Sequence, residues 1–394
     1  MDDPRAIVML STADWDNPFW TNKQHVAVEL ARRGYRILYI ESVGLRRPTA
    51  SARDARRIAA RLKRVLAGVR QVRPNIWVLS PATIPSQGSP RVRMLNKLIL
   101  RLLIARACRS LGLTRSWLWT YNPITTDVLD LRAFERVIYH CVDEIGAQPG
   151  MPFATIAACE RELVRRADIV FVTSEALLSS RREIRSDVHY LPNVADFDHF
   201  AKAREDATPV PADMTAFRNP VFGFVGAISD YKVDYGLLRA AARARPQWSF
   251  VLIGLVGEGE PGSSADELKS DPNIHLLGPR DYHVLPQYLK AFDVAILPSR
   301  LNTYTRAMFP MKFFEYLAAG KPVISTRLPA LREFQRVATF IDTPEEFVAA
   351  GDAILAGQVP PLEERLALAS EHTYAQRTSR MLKLIGESPS PAGR

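Results

Sequence analysis

The sequence predicts an α/β protein made of two Rossmann-like, doubly wound parallel-sheet domains with a ligand cleft between them. Three observations carry that prediction. Short apolar runs alternate with amphipathic segments along almost the whole chain, the pattern of strands covered by helices on both faces. At 394 residues the chain is too long for one ordinary core. The stretch Ala201–Pro220 is polar and Pro-containing, as a linker between two such halves would be.

In the first half, residues 1–200, Ala6–Leu10 reads as the opening strand, Asn22–Arg33 as a helix stopped by Gly34, and Arg36–Glu41 as the second strand. Trp117–Thr120, Arg136–Val142, Ile169–Thr173 and Val188–Leu191 supply further strands. In the second half, residues 221–362, the strands are Val221–Val225, Ser249–Ile253, Ile274–Leu277, Val294–Leu297 and Val323–Ser325, with helices such as Tyr235–Arg245 and Leu285–Phe292 between them. A terminal helix is expected over Glu363–Ile385, followed by a disordered tail from Gly386 to Arg394.

Hydrophobic content of 47% with 24% charged residues is that of a globular protein. The chain opens on acidic residues with too short an apolar run for a signal peptide, and nowhere do about 18 apolar residues run without a charge. Cys108, Cys141 and Cys159 lack metal-ligand spacing, and a reducing cytoplasm is the expected location. The net charge of +10 is concentrated: Gly44–Arg115 carries 17 Lys and Arg against Asp54 alone, leaving −6 on the remainder. Within it Ser51–Leu66 and Pro90–Gly112 read as two basic amphipathic helices. An anionic membrane surface, nucleic acid and a merely solvated face all remain open as explanations. No dedicated nucleic-acid motif accompanies the charge.

The stretch from Pro298 to Thr326 holds the densest chemistry. After the strand Val294–Leu297 a helix of about three turns is predicted to open at Pro310 and to stop at Gly320, before the strand beginning at Val323. Lys312 and Glu315 then share one face of the first turn, next to Met311. Lys312 would neutralise a diphosphate and Glu315 would accept hydrogen bonds from ribose hydroxyls. A surface Lys/Glu pair is the plainer alternative. Gly226 directly follows a strand and would let a phosphate approach the backbone, with Lys232 six residues on. Gly254, Gly257 and Gly259 do not form a dinucleotide fingerprint and read as loop glycines. Asn302, Thr303 and Tyr304, with Thr305, line the loop before Lys312, where they would contact sugar hydroxyls or phosphate oxygens.

MKFFEYLAAGKPVIST at Met311–Thr326, PNVADFDHF at Pro192–Phe200 and GAISDYK at Gly226–Lys232 resemble the GT-B glycosyltransferases. The likeness is to family-4-like enzymes of bacterial cell-surface polysaccharide synthesis, among them teichuronic-acid transferases and xanthan-type glucuronosyltransferases. That resemblance implies a terminal helix crossing back to the first domain and Lys232 as a phosphate-binding lysine. Ala227 departs from the basic residue many such enzymes carry. The loop GPRDY implies Arg280 and Tyr282 near the base. Retaining members carry a second Glu where this chain has Ala307, which leaves the anomeric outcome open.

Asp143, at the end of the apolar run Ile138–Val142, resembles the base aspartate of inverting xanthan-type enzymes, with Glu144 in reserve. His140 is expected to pack in the sheet. Asp16 and His25, with Trp15, fall where related enzymes meet the acceptor. The Asp-x-Asp triplets Asp14/Asp16 and Asp196/Asp198 are not read as metal sites, because GT-B enzymes stabilise the leaving diphosphate with lysines. The expected function is transfer of a sugar from a nucleoside diphosphate sugar, a UDP-sugar, to a saccharide acceptor that is lipid-linked, without metal or cofactor, at the inner face of the membrane. A sugar-nucleotide 2-epimerase and a non-catalytic binder of sugar nucleotides stay open as other classes.

Overall fold

The computed structural model describes residues 6–17, 19–43, 65, 68–81, 90–257 and 263–387. Two compact units emerge: residues 1–173, 177–191 and 378–394 form the first, residues 174–176 and 192–377 the second. All of the predicted basic helix at Ser51–Leu66 except Val65, together with Gly259 and most of the C-terminal tail, lies outside the described residues.

The first unit is built on one eight-stranded sheet. Its strands are β1 (Ala6–Leu10), β2 (Arg36–Ile40), β3 (Val69–Arg73), β4 (Ile76–Leu79), β5 (Trp117–Thr120), β6 (Val137–Cys141), β7 (Ile169–Val172) and β8 (Val188–Tyr190), in the order β3-β4-β2-β1-β5-β6-β7-β8. All pairs are parallel except β3 with β4. Strands β1, β5, β6 and β7 are buried along their whole length, as continuous apolar runs covered on both faces must be. His140 packs there among Tyr121, Trp119 and Phe171 with no exposure, as expected of it.

The β3–β4 hairpin is not anticipated by the sequence pattern. Its turn places Asn75 at φ 62°, a left-handed conformation Asn tolerates. Edge strand β3, VRQVR, has only exposed and half-buried positions, so its arginines read as surface charge rather than as strand.

The second unit carries a six-stranded, wholly parallel sheet: β9 (Val221–Val225), β10 (Ser249–Ile253), β11 (Ile274–Gly278), β12 (Val294–Leu297), β13 (Val323–Thr326) and β14 (Thr339–Ile341). The order β11-β10-β9-β12-β13-β14 is that of the doubly wound dinucleotide-binding fold. The order in which strands are added reverses between β9 and β12, where ligands of such sheets sit. Phe222 stacks on Trp248 and Phe250 at ring-centre distances of 4.2 and 5.5 Å and anchors the core on one face of the sheet.

Two helices differ from expectation. The one predicted from Pro310 is formed only by Lys312–Ala318, seven residues, because the Pro310 carbonyl serves as acceptor for the Phe313 N–H and Met311 is the cap. The single terminal helix is two, Leu362–Glu371 and Tyr374–Glu387. His372 leaves helical geometry and its carbonyl accepts the Ala195 N–H at 3.0 Å, so Thr373 bridges to Ala195 instead of continuing the helix. The last part of the second helix belongs to the first unit, where Arg33 donates to Ser379 and Arg136 to the Ile385 carbonyl.

Gly223 in β9 has a steric reason to be glycine: a Cβ there would lie 2.2 Å from the buried Phe292 ring. Gly223→Ala should therefore destabilise the protein by about 1–3 kcal/mol. Urea denaturation checks this, and an unchanged midpoint would contradict the packing described.

Candidate functional site

The loops leaving β9 and β12 are fastened to each other at the reversal point of the second sheet. Val233 bridges Ser299, the Asp234 N–H donates to the Pro298 carbonyl, and Arg300 N–H donates to the Lys232 carbonyl at 2.9 Å. Arg300 also pairs with Asp230 at 2.6 Å. Asn302 stitches both sides, its amide donating to the Tyr231 carbonyl at 2.6 Å while its oxygen caps the short helix Thr303–Arg306 by accepting from Thr305 N–H. The side chain of Asn302 is thus a fastener, and Thr303 beside it is exposed.

That fastening presents Lys232. Its ammonium lies 5.4 Å from the ring centre of Tyr231 and 5.8 Å from that of Tyr304, and among the described residues no carboxylate pairs with it. Two aromatic faces stabilise the cation without neutralising it. Tyr304, 5% exposed, works here as a wall under Lys232. Gly226 and Gly254 meet back to back: a Cβ on Gly254 would lie 1.7 Å from the Gly226 carbonyl oxygen. The Gly226 N–H itself donates to the Ile253 carbonyl at 2.9 Å, so it braces the loop.

Helix Lys312–Ala318 is held against the end of β9 by the Tyr316 hydroxyl, which accepts the Val225 N–H at 2.8 Å. On its first turn the Lys312 ammonium donates to the Glu315 carboxylate at 2.7 Å, with side-chain exposures of 18% and 3%. The pair is not a solvated surface bridge. Burial lifts the Glu315 carboxyl above its ordinary range, Lys312 pulls it back, and Asp196 adds to the rise. Met311 sits half-buried beside them.

The PNVADFDHF segment closes this corner. Asn193 donates to the Phe309 carbonyl at 2.6 Å, and Asp196 caps helix Phe197–Ala201 by accepting from His199 N–H. His199 stacks on Tyr282 at 4.4 Å and its Nε2–H donates to the Tyr282 carbonyl. Tyr282 is 4% exposed, so it shapes the wall rather than offering an open ring. Arg280 is turned elsewhere, its guanidinium spent on Asp213, Tyr288 and the Leu277 carbonyl.

In the first unit Asp143 emerges just after β6, with its side chain 27% exposed and its carboxylate 3.9 Å from the Lys23 ammonium. Lys23 is buried at 7% exposure in helix Asn22–Arg32 and lies 5.8 Å from the ring centre of Tyr121. Nothing in the sequence singles out Lys23, because its partner is distant along the chain. Glu144 is engaged differently: Arg181, 5% exposed, holds it at 2.5 Å and Glu160 at 2.7 Å. One buried guanidinium thus ties the reserve candidate Glu144 to Glu160. His25 is buried against Trp20 at 5.2 Å, and Asp16 lies exposed in an ion pair with Arg70 of the unanticipated hairpin.

Comparison with known proteins agrees with this layout. Residues 219–356 match the family described as Glycosyl transferases group 1. The second unit carries a group 1 glycosyltransferase domain. The Bacillus subtilis (strain 168) protein "Putative teichuronic acid biosynthesis glycosyltransferase TuaH" is 30% identical over 262 residues, 61% of this chain and 64% of that relative, so the match spans under two thirds of its length. Among solved structures, sucrose-phosphate synthase from Thermosynechococcus elongatus superposes with a TM-score of 0.68 at 18% identity, covering 97% of this chain and 98% of the other. Anabaena HepE, crystallised with UDP and glucose, gives 0.64 at 16% identity over 96% of this chain and 99% of the other. At these identities the likeness establishes the fold, the two-sheet α/β arrangement of GT-B glycosyltransferases.

Because burial raises the folded-state pKa of Glu315 above its ordinary 4.5, the stability this group contributes is fully present below that value and is lost as pH rises through the folded-state value. Lys312→Met should shift the folded-state value further up. Its destabilisation should be larger at pH 8, about 3–5 kcal/mol, than at pH 5, where the carboxyl can take up a proton. Urea curves at both pH values measure this, and equal losses would contradict the buried pair.

Proposed function

We propose that the protein is a metal-independent glycosyltransferase moving a sugar from a nucleoside diphosphate sugar, a UDP-sugar, to a saccharide acceptor that is lipid-linked. The observation that carries the reading is the pairing, within one unit, of an uncompensated lysine and a buried Lys/Glu pair at the reversal point of a doubly wound sheet. Lys232 and Lys312 take the diphosphate, since one bond from Lys312 to Glu315 leaves two N–H donors for phosphate oxygens. Glu315, held by Lys312, accepts the ribose hydroxyls. UDP and glucose in HepE, and UDP-2-fluoro glucose in a structure described as trehalose-6-phosphate from E. coli, support a UDP-sugar.

In the transfer itself the acceptor hydroxyl oxygen attacks C1 of the sugar, the bond from C1 to the diphosphate oxygen breaks, and the nucleoside diphosphate leaves with that electron pair. Asp143 takes the hydroxyl proton. Lys23 stands 3.9 Å from that carboxylate. The teichuronic-acid relative supports a role in cell-surface polysaccharide synthesis. No described helix is long and apolar enough to cross a membrane, and the net positive charge of Gly44–Arg115 supports attachment at the cytoplasmic face.

Titration with UDP-, GDP- and dTDP-sugars, followed by product analysis with the tightest binder, tests the reading. A UDP-sugar should bind best, and Lys232→Ala should weaken it by about tenfold or more. Asp143→Asn should bind the UDP-sugar as the wild type does and lose transfer by about a hundredfold or more. Transfer at near wild-type rate would remove Asp143 from the mechanism. Conversion of the nucleotide sugar to its epimer without acceptor would replace the transferase reading.

A further inference from the structure

Helix Pro90–Ser110 buries one face and exposes another among the described residues. Asn96, Leu100, Ile104 and Ala107 point into the first unit, each at most 6% exposed. On the outer side Met94, Leu95, Leu98 and Leu102 are 74, 45, 54 and 59% exposed. Four of the nine large apolar side chains exposed among the described residues therefore stand on this one helix. Met94, Leu98 and Leu102 follow at four-residue intervals and make a continuous ridge.

Alongside the ridge runs a groove of about 550 Å³ whose walls include Met94 and Leu98 and the cations Lys97, Arg101, Arg132 and Arg166. Among the described residues one acid, Asp130, lines it, held side-on by Arg132 at 3.1 and 3.0 Å and pushed down to about 2 by that bond, with Arg101 adding to the effect. Lys97 donates one bond to the Thr126 carbonyl and keeps two N–H groups, and Arg166 faces Glu162 only at 3.7 Å. The groove is net positive with an apolar shoulder.

We propose that this groove and ridge form a docking surface for an anionic phospholipid bilayer, the phosphate headgroups seated among Lys97, Arg101 and Arg166 and the ridge Met94–Leu98–Leu102 entering the acyl boundary. Charge decides the occupant. A second copy of this chain would bring like charge against like charge, whereas an anionic leaflet supplies the opposite sign and an apolar layer at the same depth. RNA would match the cations and leave the ridge without a role. The inference deepens the membrane-surface part of the reading above and rests on it, while standing apart from its nucleotide chemistry.

The test is sedimentation of the full chain with phosphatidylcholine vesicles, with and without phosphatidylglycerol, at low and high salt. Nucleotide-sugar binding is measured on the same preparations. Wild type should bind the phosphatidylglycerol vesicles at least about tenfold more tightly. Arg101→Glu/Arg166→Glu should lose about tenfold or more of that binding, and Met94→Ser/Leu98→Ser/Leu102→Ser should lose binding that persists at high salt. Both variants should bind nucleotide sugar as the wild type does. Equal binding to both vesicle types, or either variant within twofold of wild type, overturns the surface. So does salt-sensitive binding of a fluorescent RNA in preference to the vesicles. Loss of nucleotide-sugar binding in every preparation with vesicle binding intact would count against the transferase reading and leave this one standing.

Discussion

A carboxylate with almost no exposure cannot stay charged in a protein interior without a partner, and the second unit is arranged around the one that Glu315 has. Lys312 supplies the charge from the same helical turn. Tyr316 fixes that turn to the last residue of β9, and Asn193 fixes the residue before Pro310. Asp196 and Tyr282 wall the pair from the other side. With only seven residues the helix offers little field of its own, so the positive charge at this corner comes from lysine side chains.

Lys232 complements that arrangement by the opposite strategy. It has aromatic neighbours where Lys312 has a carboxylate. The loops that present it are tied by a bridge, a backbone bond and the two-ended Asn302 amide. Rigid loops at the reversal point of a parallel sheet hold such a cation in one place without cost at the moment of binding.

Much of this was legible in the sequence. Apolar runs marked eleven of the fourteen described strands within a residue or two, all but β3, β4 and β14, because strands buried on both faces have no alternation to obscure them. The spacing of Lys312 and Glu315 placed them on one face because a single turn settles it. What stayed hidden depends on partners far apart in the chain. Lys23 acquires meaning only beside Asp143, Glu144 loses its freedom only because Arg181 folds onto it, and Arg280 turns away only because Asp213 is there. The β3–β4 hairpin was masked by its own arginines, and the break at His372 by a backbone bond to Ala195.

The most direct measurement is a crystal structure of the protein soaked with UDP. The account predicts ribose hydroxyls on the Glu315 carboxylate and the diphosphate between Lys312 and Lys232, with the loops after β9 and β12 unmoved. UDP bound elsewhere, with the Lys312–Glu315 pair intact and untouched, would contradict it.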